Sequence, residues 1–274
     1  MNVYAISDLH LANKSNQDAL ISITPHKTDW VIVAGDVGES TEQLKFALSV
    51  LNDRFQQIIW VPGNHDLWSY PINRYSLKGE EKYQQLLSVC KRYGVITPED
   101  DYPLVQIDGQ AYYIAPTFTL YDYSFRPDNV PFEKALAWAT ENGPECTDEQ
   151  LLMPYPYSSV AEWCEKRCDY TEARLTKLSR DIPIILVNHY PVLEEHAHIL
   201  RYPRFKIWCG TKRTEKWLDD FNIKIVVHGH MHIRRTLYVN GIKIQEVSLG
   251  YPRDWMPSNG IAYYLKRIYY TGQL

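Results

Sequence analysis

Residues 58–66 read IIWVPGNHD: an apolar, β-rich run, a Pro-Gly turn, then Asn64, His65 and Asp66 in succession. The same grammar recurs along the chain. NVYAIS (2–7) leads into Asp8-Leu9-His10, WVIVA (30–34) into Gly35-Asp36, and IILVN (184–188) into His189. A final run over 223–228 ends in His228-Gly229-His230-Met231-His232. Five predicted strands thus carry Asp, Asn or His at their carboxyl ends, where layered α/β proteins place their sites.

Each fragment alone is weak, since a Gly-Asp after a strand is usually a turn. Their order and common context give them weight. Two histidines two apart on extended chain face the same side, which joins His230 to His232; His228, at the end of the strand itself, is read as a structural histidine. Carboxylate oxygen mixed with imidazole nitrogen suits a pair of borderline divalent cations better than calcium or an iron–sulfur cluster.

Outward from these runs, strands are predicted at 2–7, 30–34, 57–61, 104–107, 111–115, 183–188, 223–228, 235–239, 242–248 and 261–269. Asn240-Gly241 marks a type I′ hairpin between the strands at 235–239 and 242–248. Ser40 and Gln43 form a capping-box pattern opening a helix over 40–55, with Leu44, Leu48, Leu51 and Phe55 on one face. Further helices are predicted at 79–93, stopped by Gly94, and at 159–180, opened by Ser159 and Glu162. The alternation predicts an α/β fold of two packed sheets flanked by helices.

Candidate donors run from residue 8 to residue 232, so nearly the whole chain must fold together. The expectation is one domain over 1–274 with a cap-like, aromatic and Pro-rich insertion at about 117–158. The formal net charge of -4 among 274 residues argues against a non-specific DNA binder. Five cysteines without zinc-knuckle spacing fit a reducing cytoplasm. The first strand leads straight into Asp8, so a cleaved leader there would remove a proposed ligand. No apolar stretch approaches the ~20 residues that span a bilayer.

These fragments resemble the calcineurin-like metallophosphoesterase superfamily over about residues 1–250. The resemblance implies a four-layer αββα sandwich. It implies one cation held by Asp8, His10, Asp36 and His232, and a second by Asp36, Asn64, His189 and His230, with Asp36 bridging. Two such cations, of manganese, iron or zinc, generate a bridging hydroxide that attacks phosphorus. By the same resemblance His65 protonates the departing alkoxide and Asp66 orients its imidazole.

LYDYSFRP (120–127), RYPRFKIWCGT (201–211) and EVSLGYPRDW (246–255) resemble a narrower subgroup that includes phosphopantetheinyl hydrolase. That implies release of 4′-phosphopantetheine from holo-acyl carrier protein, an acidic partner. Arg126, Arg201, Arg204 and Arg253 become candidate phosphate or carrier contacts, and Tyr121 and Tyr123 flank the pantetheine arm. Residues 201–217 carry six basic side chains against Glu215, a candidate dock for that acidic partner. Two readings stand beside this one: a phosphoesterase acting on nucleotides, RNA or small phosphate esters, and a non-catalytic partner-binding scaffold.

Overall fold

The computed structural model describes residues 1–70, 76–198 and 201–269. Its strands are β1 Val3–Ile6, β2 His26–Ala34, β3 Phe55–Val61, β4 Leu104–Ile107, β5 Gln110–Pro116, β6 Ile184–Val187, β7 Ile223–His228, β8 Thr236–Val239, β9 Ile242–Glu246 and β10 Lys266–Ile268. They form two mixed sheets, ordered β10-β1-β2-β3 and β4-β5-β6-β7-β9-β8. The helices are α1 Lys14–Ile21, α2 Thr41–Asn52, α3 Asn64–Leu67, α4 Gly79–Arg92, α5 Ala135–Thr140, α6 Asp148–Leu151, α7 Val160–Leu175, α8 Arg213–Asp220 and α9 Ile261–Tyr264.

The period-2 geometry of a strand explains the layering. Ile32 and Ala34 of β2 join Val3, Ala5, Ile59 and Val61 in a core shared with Ile114, Ile185, Val187, Ile225 and Val227 of the other sheet. The intervening Val31 and Val33 point the opposite way, into a core with Leu20, Leu44, Leu48, Tyr83 and Leu86 of the helices. On the second sheet Ile184, Leu186 and Val226 enter that outer core with Trp163, Cys164, Cys168 and Trp217 of α7 and α8. Strands apolar on both faces are what a sheet covered on both sides requires. The result is the expected αββα sandwich.

Several local expectations are met. Ser40 caps α2 by accepting from the Gln43 amide, and the Gln43 side chain returns to the Ser40 amide. Asn240 and Gly241 both take positive φ, at 50° and 76°, as a type I′ turn demands. Others need correction. Phe55 belongs to β3, and α7 stops at Leu175 where the expected helix ran to 180. Of the strand expected at 261–269, only Lys266–Ile268 pairs with β1. Ile261–Tyr264 winds into a helical turn after Gly260, whose φ is +68°, and buries Tyr264 against Trp255. The helix α1 was not anticipated; it has no acidic first turn and no side-chain cap.

Within 117–158 the chain leaves the sheets and forms only short helices; α5 packs on the 3-10 segment Pro203–Trp208. Among the described residues no helix is long and apolar enough to cross a membrane.

Replacing Ser40 with Ala removes one half of a reciprocal cap, and should lower unfolding free energy by about 1 kcal/mol. A denaturant midpoint equal to that of the parent would contradict this.

Candidate metal centre

The five polar fragments do meet. Asp8 follows β1, Asp36 follows β2, Asn64 opens α3 after β3, His189 follows β6 and His230 follows β7. All these ends lie at one edge of the sandwich, at the seam between the sheets, where Ser7 bridges to Ser248. Asp8, His10, Asp36, His230 and His232 all have φ between 42° and 71°. Left-handed backbone at non-glycine residues costs on the order of 1–3 kcal/mol each and clusters at functional sites. Glycines supply the clearance: a Cβ on Gly63 would stand 2.0 Å from Asp36 Oδ1, and one on Gly229 2.3 Å from Asp8 Oδ2.

One donor cluster joins Asp8, His10 and His232. His10 Nε2 and His232 Nε2 are 3.1 Å apart, and His232 Nε2 is 3.1 Å from Asp8 Oδ1. His232 Nδ1 is 2.8 Å from Asp254 Oδ2. A carboxylate only accepts, so Nδ1 donates to Asp254, and Nε2 faces Asp8. Burial opposes the charge that the two carboxylates favour on this ring, but they outweigh it and raise it to about 9. A cation bound here would take the place of the Nε2 proton. The Asp8 carboxylate is fixed by the Ser7 hydroxyl at 2.6 Å, the Ser248 hydroxyl at 2.7 Å and the His230 amide at 3.0 Å.

A second cluster joins Asp8, Asp36 and His189. His189 Nδ1 donates to the Ala34 carbonyl at 2.8 Å, freeing Nε2 to face Asn64 Oδ1 at 3.2 Å and Asp36 Oδ2 at 3.5 Å. The His230 ring completes this side, 5.2 Å from that of His189. Asp36 also groups with His10 and His65, and so lies between the two clusters. Burial drives His10 down to about 4 and His230 to about 3, leaving both imidazoles neutral and able to offer lone pairs. Burial opposes a charge on His189 as well, but Asp36 outweighs it and raises that histidine to about 10. Imidazoles and carboxylates converging, with no ammonium or guanidinium between them among the described residues, are a donor set fitted to divalent cations. Their binding would displace the proton that Asp36 favours on His189.

His65 lies beside this set, its Nε2 3.9 Å from Asp36 Oδ2 and 3.4 Å from the Tyr251 hydroxyl. Its expected orienting partner is wrong. Asp66 accepts from the amides of Asp36, Val37, Gly38 and Gly63, at 2.9 to 3.3 Å. It therefore staples the β2 loop to the β3 loop. Three residues is one helical turn, so Asp66 reaches back to cap α3 and turns away from the ring of its neighbour. Glu39 faces His65 Nδ1 instead, at 3.6 Å, and Trp68 packs on the ring with centroids 3.6 Å apart. Burial disfavours a charge on His65, yet Asp36 and Glu39 overcome it and raise its pKa.

Asp148 was not foreseen. It is fully buried, and its Oδ1 accepts from Asn64 Nδ2 at 2.9 Å and from Trp68 Nε1 at 2.6 Å. A carboxylate must face the amide NH2, so Asp148 dictates that the Asn64 oxygen points at the second cluster. Nothing local marks it in CTDEQLL, where an acid early in a short helix is ordinary.

The narrower contact residues are mostly occupied elsewhere. Tyr121 is completely buried against Tyr123 and Tyr190, and Tyr123 donates to Glu149. Arg126 bonds the carbonyls of Val130 and Tyr123. Arg204 stacks on Trp138 and pairs with Glu141. Arg201 is exposed over Tyr202. Arg253 alone stands by the centre, 81% exposed over the ring of Tyr251. The basic run over 201–217 is largely neutralised: Lys206 pairs with Glu194, Lys212 with Asp128, and Arg213 with Asp169 and Glu172. It is not the open positive dock that its sequence suggested, because the partners come from distant segments.

A cavity of about 350 Å³ opens over the donors. Asp36, Asn64, His65, His230 and His232 form its floor, and Trp68, Cys146, Phe205, Met231 and Tyr251 are among its walls.

The sequence model described as calcineurin-like phosphoesterase matches residues 1–234. A relative from Mycobacterium tuberculosis, the acyl-carrier-protein phosphodiesterase PptH, is 42% identical over 255 residues, 92% of this chain and 79% of its own. The crystal structure of phosphopantetheinyl hydrolase (PptH) from Mycobacterium tuberculosis matches with a TM-score of 0.93 at 39% identity, covering 100% of this chain and 97% of that one. A dimetal phosphatase from Danio rerio has a similar fold, with a TM-score of 0.51 at 14% identity over 90% of this chain and 87% of its own.

Asp148→Leu should weaken divalent-cation binding by about 10- to 100-fold, the usual cost of losing a ligand's supporting partner. Asp148→Asn keeps the acceptor and should recover most of it. Coincident chelator-competition curves for parent and Leu variant would refute the role.

Proposed function

The chain belongs to the calcineurin-like phosphoesterase family, and from that premise we propose that it is a dinuclear-metal phosphodiesterase acting on holo-acyl carrier protein. The bond cut would join the carrier's serine to 4′-phosphopantetheine. The observation that carries this reading is a single cavity joining both donor clusters to a wall that, among the described residues, has no Lys or Arg.

Asp8, His10, Asp36 and His232 would hold one cation, and Asp36, Asn64, His189 and His230 the other. Bound there, a pair of divalent cations lowers the pKa of water towards neutrality and neutralises phosphoryl oxygens. Manganese, iron and zinc all accept such donors. The chain's own work is to aim the donors and to move a proton. Asp254 and the Ala34 carbonyl hold His232 and His189 in the tautomers that present Nε2. Asp148 aims the Asn64 oxygen. His65, pressed by Trp68 and faced by Glu39, hands its proton to the departing serine oxygen. Asp66 acts indirectly, by fixing the backbone that carries Asp36 and Asn64.

Resemblance to PptH over most of both chains supports the carrier-protein substrate. Nucleotide or RNA hydrolysis is less well served, since flanking phosphates need cationic partners and the lining residues offer none. A scaffold role leaves the convergent donors and left-handed backbone without purpose. Arg253, at the rim, is the cation best placed to meet an acidic carrier. The five cysteines are unpaired and buried, consistent with a reducing compartment, and the cytoplasm is the one we assign.

Cation-loaded protein incubated with holo-carrier protein should remove the phosphopantetheine mass, read by mass spectrometry. An intact carrier, under conditions where an aryl phosphodiester is hydrolysed, would overturn the substrate while sparing the chemistry. His65→Ala should lose about 100-fold or more in turnover with its cation content intact, whereas Asp36→Asn should lose the cations themselves. Elemental analysis beside the rate assay separates the two, and a His65→Ala enzyme of parental speed would end the proton-donor assignment.

A further inference from the structure

The cavity has two chemically different sides. On one, the His65 ring is stacked by Trp68 and approached by the Tyr251 hydroxyl. The other is built of Cys146, Phe205, Cys209 and Met231. Cys209, Met231 and Phe205 belong, with Phe125 and Ala197, to a small apolar cluster separate from the two larger cores. Cys146, Cys209 and Met231 are 6%, 0% and 7% exposed, so the wall presents the partly buried Phe205 backed by packed sulfur-bearing side chains. At its edge Pro144 and Thr147 add neutral surface and Glu145 adds a carboxylate.

We propose that this sulfur-rich wall seats the pantetheine arm, with the carrier's serine departing on the His65 side; the proposal rests on the phosphodiesterase reading above. A phosphodiester has one ester that leaves and one that stays. The phosphorus–serine oxygen bond breaks as water oxygen joins phosphorus, and the serine oxygen takes its proton from His65. The products are an unmodified serine and phosphopantetheine. In-line displacement sends the leaving oxygen opposite the attacking one, so the retained ester must emerge to the side, away from His65. What emerges there must be uncharged and partly apolar. Among the described residues the wall offers no cation to a second phosphate, and Glu145 repels one. Soft, polarisable sulfur and a phenyl ring suit alkyl chain and a terminal thiol. A volume of about 350 Å³ also falls within the range of small-molecule pockets.

Two small diesters with the same leaving group isolate the retained side: pantetheine 4′-(p-nitrophenyl phosphate) and ethyl p-nitrophenyl phosphate. Burying two or three extra methylene groups is worth about tenfold or more in affinity, so the pantetheine ester should show a KM lower by at least that factor. Phe205→Ala should bring the ratio of the two KM values towards one. Equal KM values in the parent protein, or a ratio undiminished in the variant, would overturn the seat. Should the variant not fold, the parental ratio decides alone. Failure of the carrier-protein assay would remove the physiological substrate, whereas failure here removes only the placement of the arm.

Discussion

Buried negative charge at the seam between two sheets is the constraint around which this molecule is arranged. Asp8, Asp36, Asp66, Asp148 and Glu246 are all nearly or wholly inaccessible. An isolated carboxylate in such a place costs many kcal/mol unless something answers it. Each is answered differently. Asp66 takes four backbone amides, Asp148 an amide and an indole, and Asp8 two hydroxyls, an amide and an imidazole. Glu246, raised to about 7 chiefly by burial, meets Ser248. Asp36 lies between the donor clusters, with only a backbone amide and the histidines for company. That is where divalent cations would complete the balance.

The backbone answers the same constraint. Strands of both sheets must end within reach of one point, and the residues just past those ends must turn sharply while still aiming side chains inward. Left-handed φ at five of the proposed donors is the cost of that aim. Glycines at 63 and 229 let main chain approach carboxylate oxygens more closely than any other residue allows. Rigid β-sheet on one side and capped helix on the other keep these strained turns from relaxing.

How much of this was legible in the sequence follows from which forces are local. Strand-then-donor fragments were readable because an apolar run and its polar end are adjacent in the chain. Roles that depend on another segment were not. Asp66 looks like a partner for His65 by proximity, yet helical geometry sends it to the amides behind. Glu39, Asp148, Asp254 and Tyr251 matter because they arrive from other segments whose sequences are unremarkable. Most of the aromatic and arginine contacts were illegible for a related reason: LYDYSFRP says which residues are present, but Tyr121 is buried against Tyr190 from another segment. Likewise the basic run at 201–217 is answered by acids from residues 128 to 194.

The pairing of β1 with β10 has a temporal meaning. Val3 lies opposite Ile268, so the edge of the first sheet closes only after residue 268 has been synthesised. Contacts so distant along the chain form late and slowly. On a translating ribosome, Asp8 and Asp36 emerge long before His189, His230 and His232. A nascent chain that stops short of His230 and His232 therefore lacks donors on both sides of the proposed centre, which cannot assemble until they emerge.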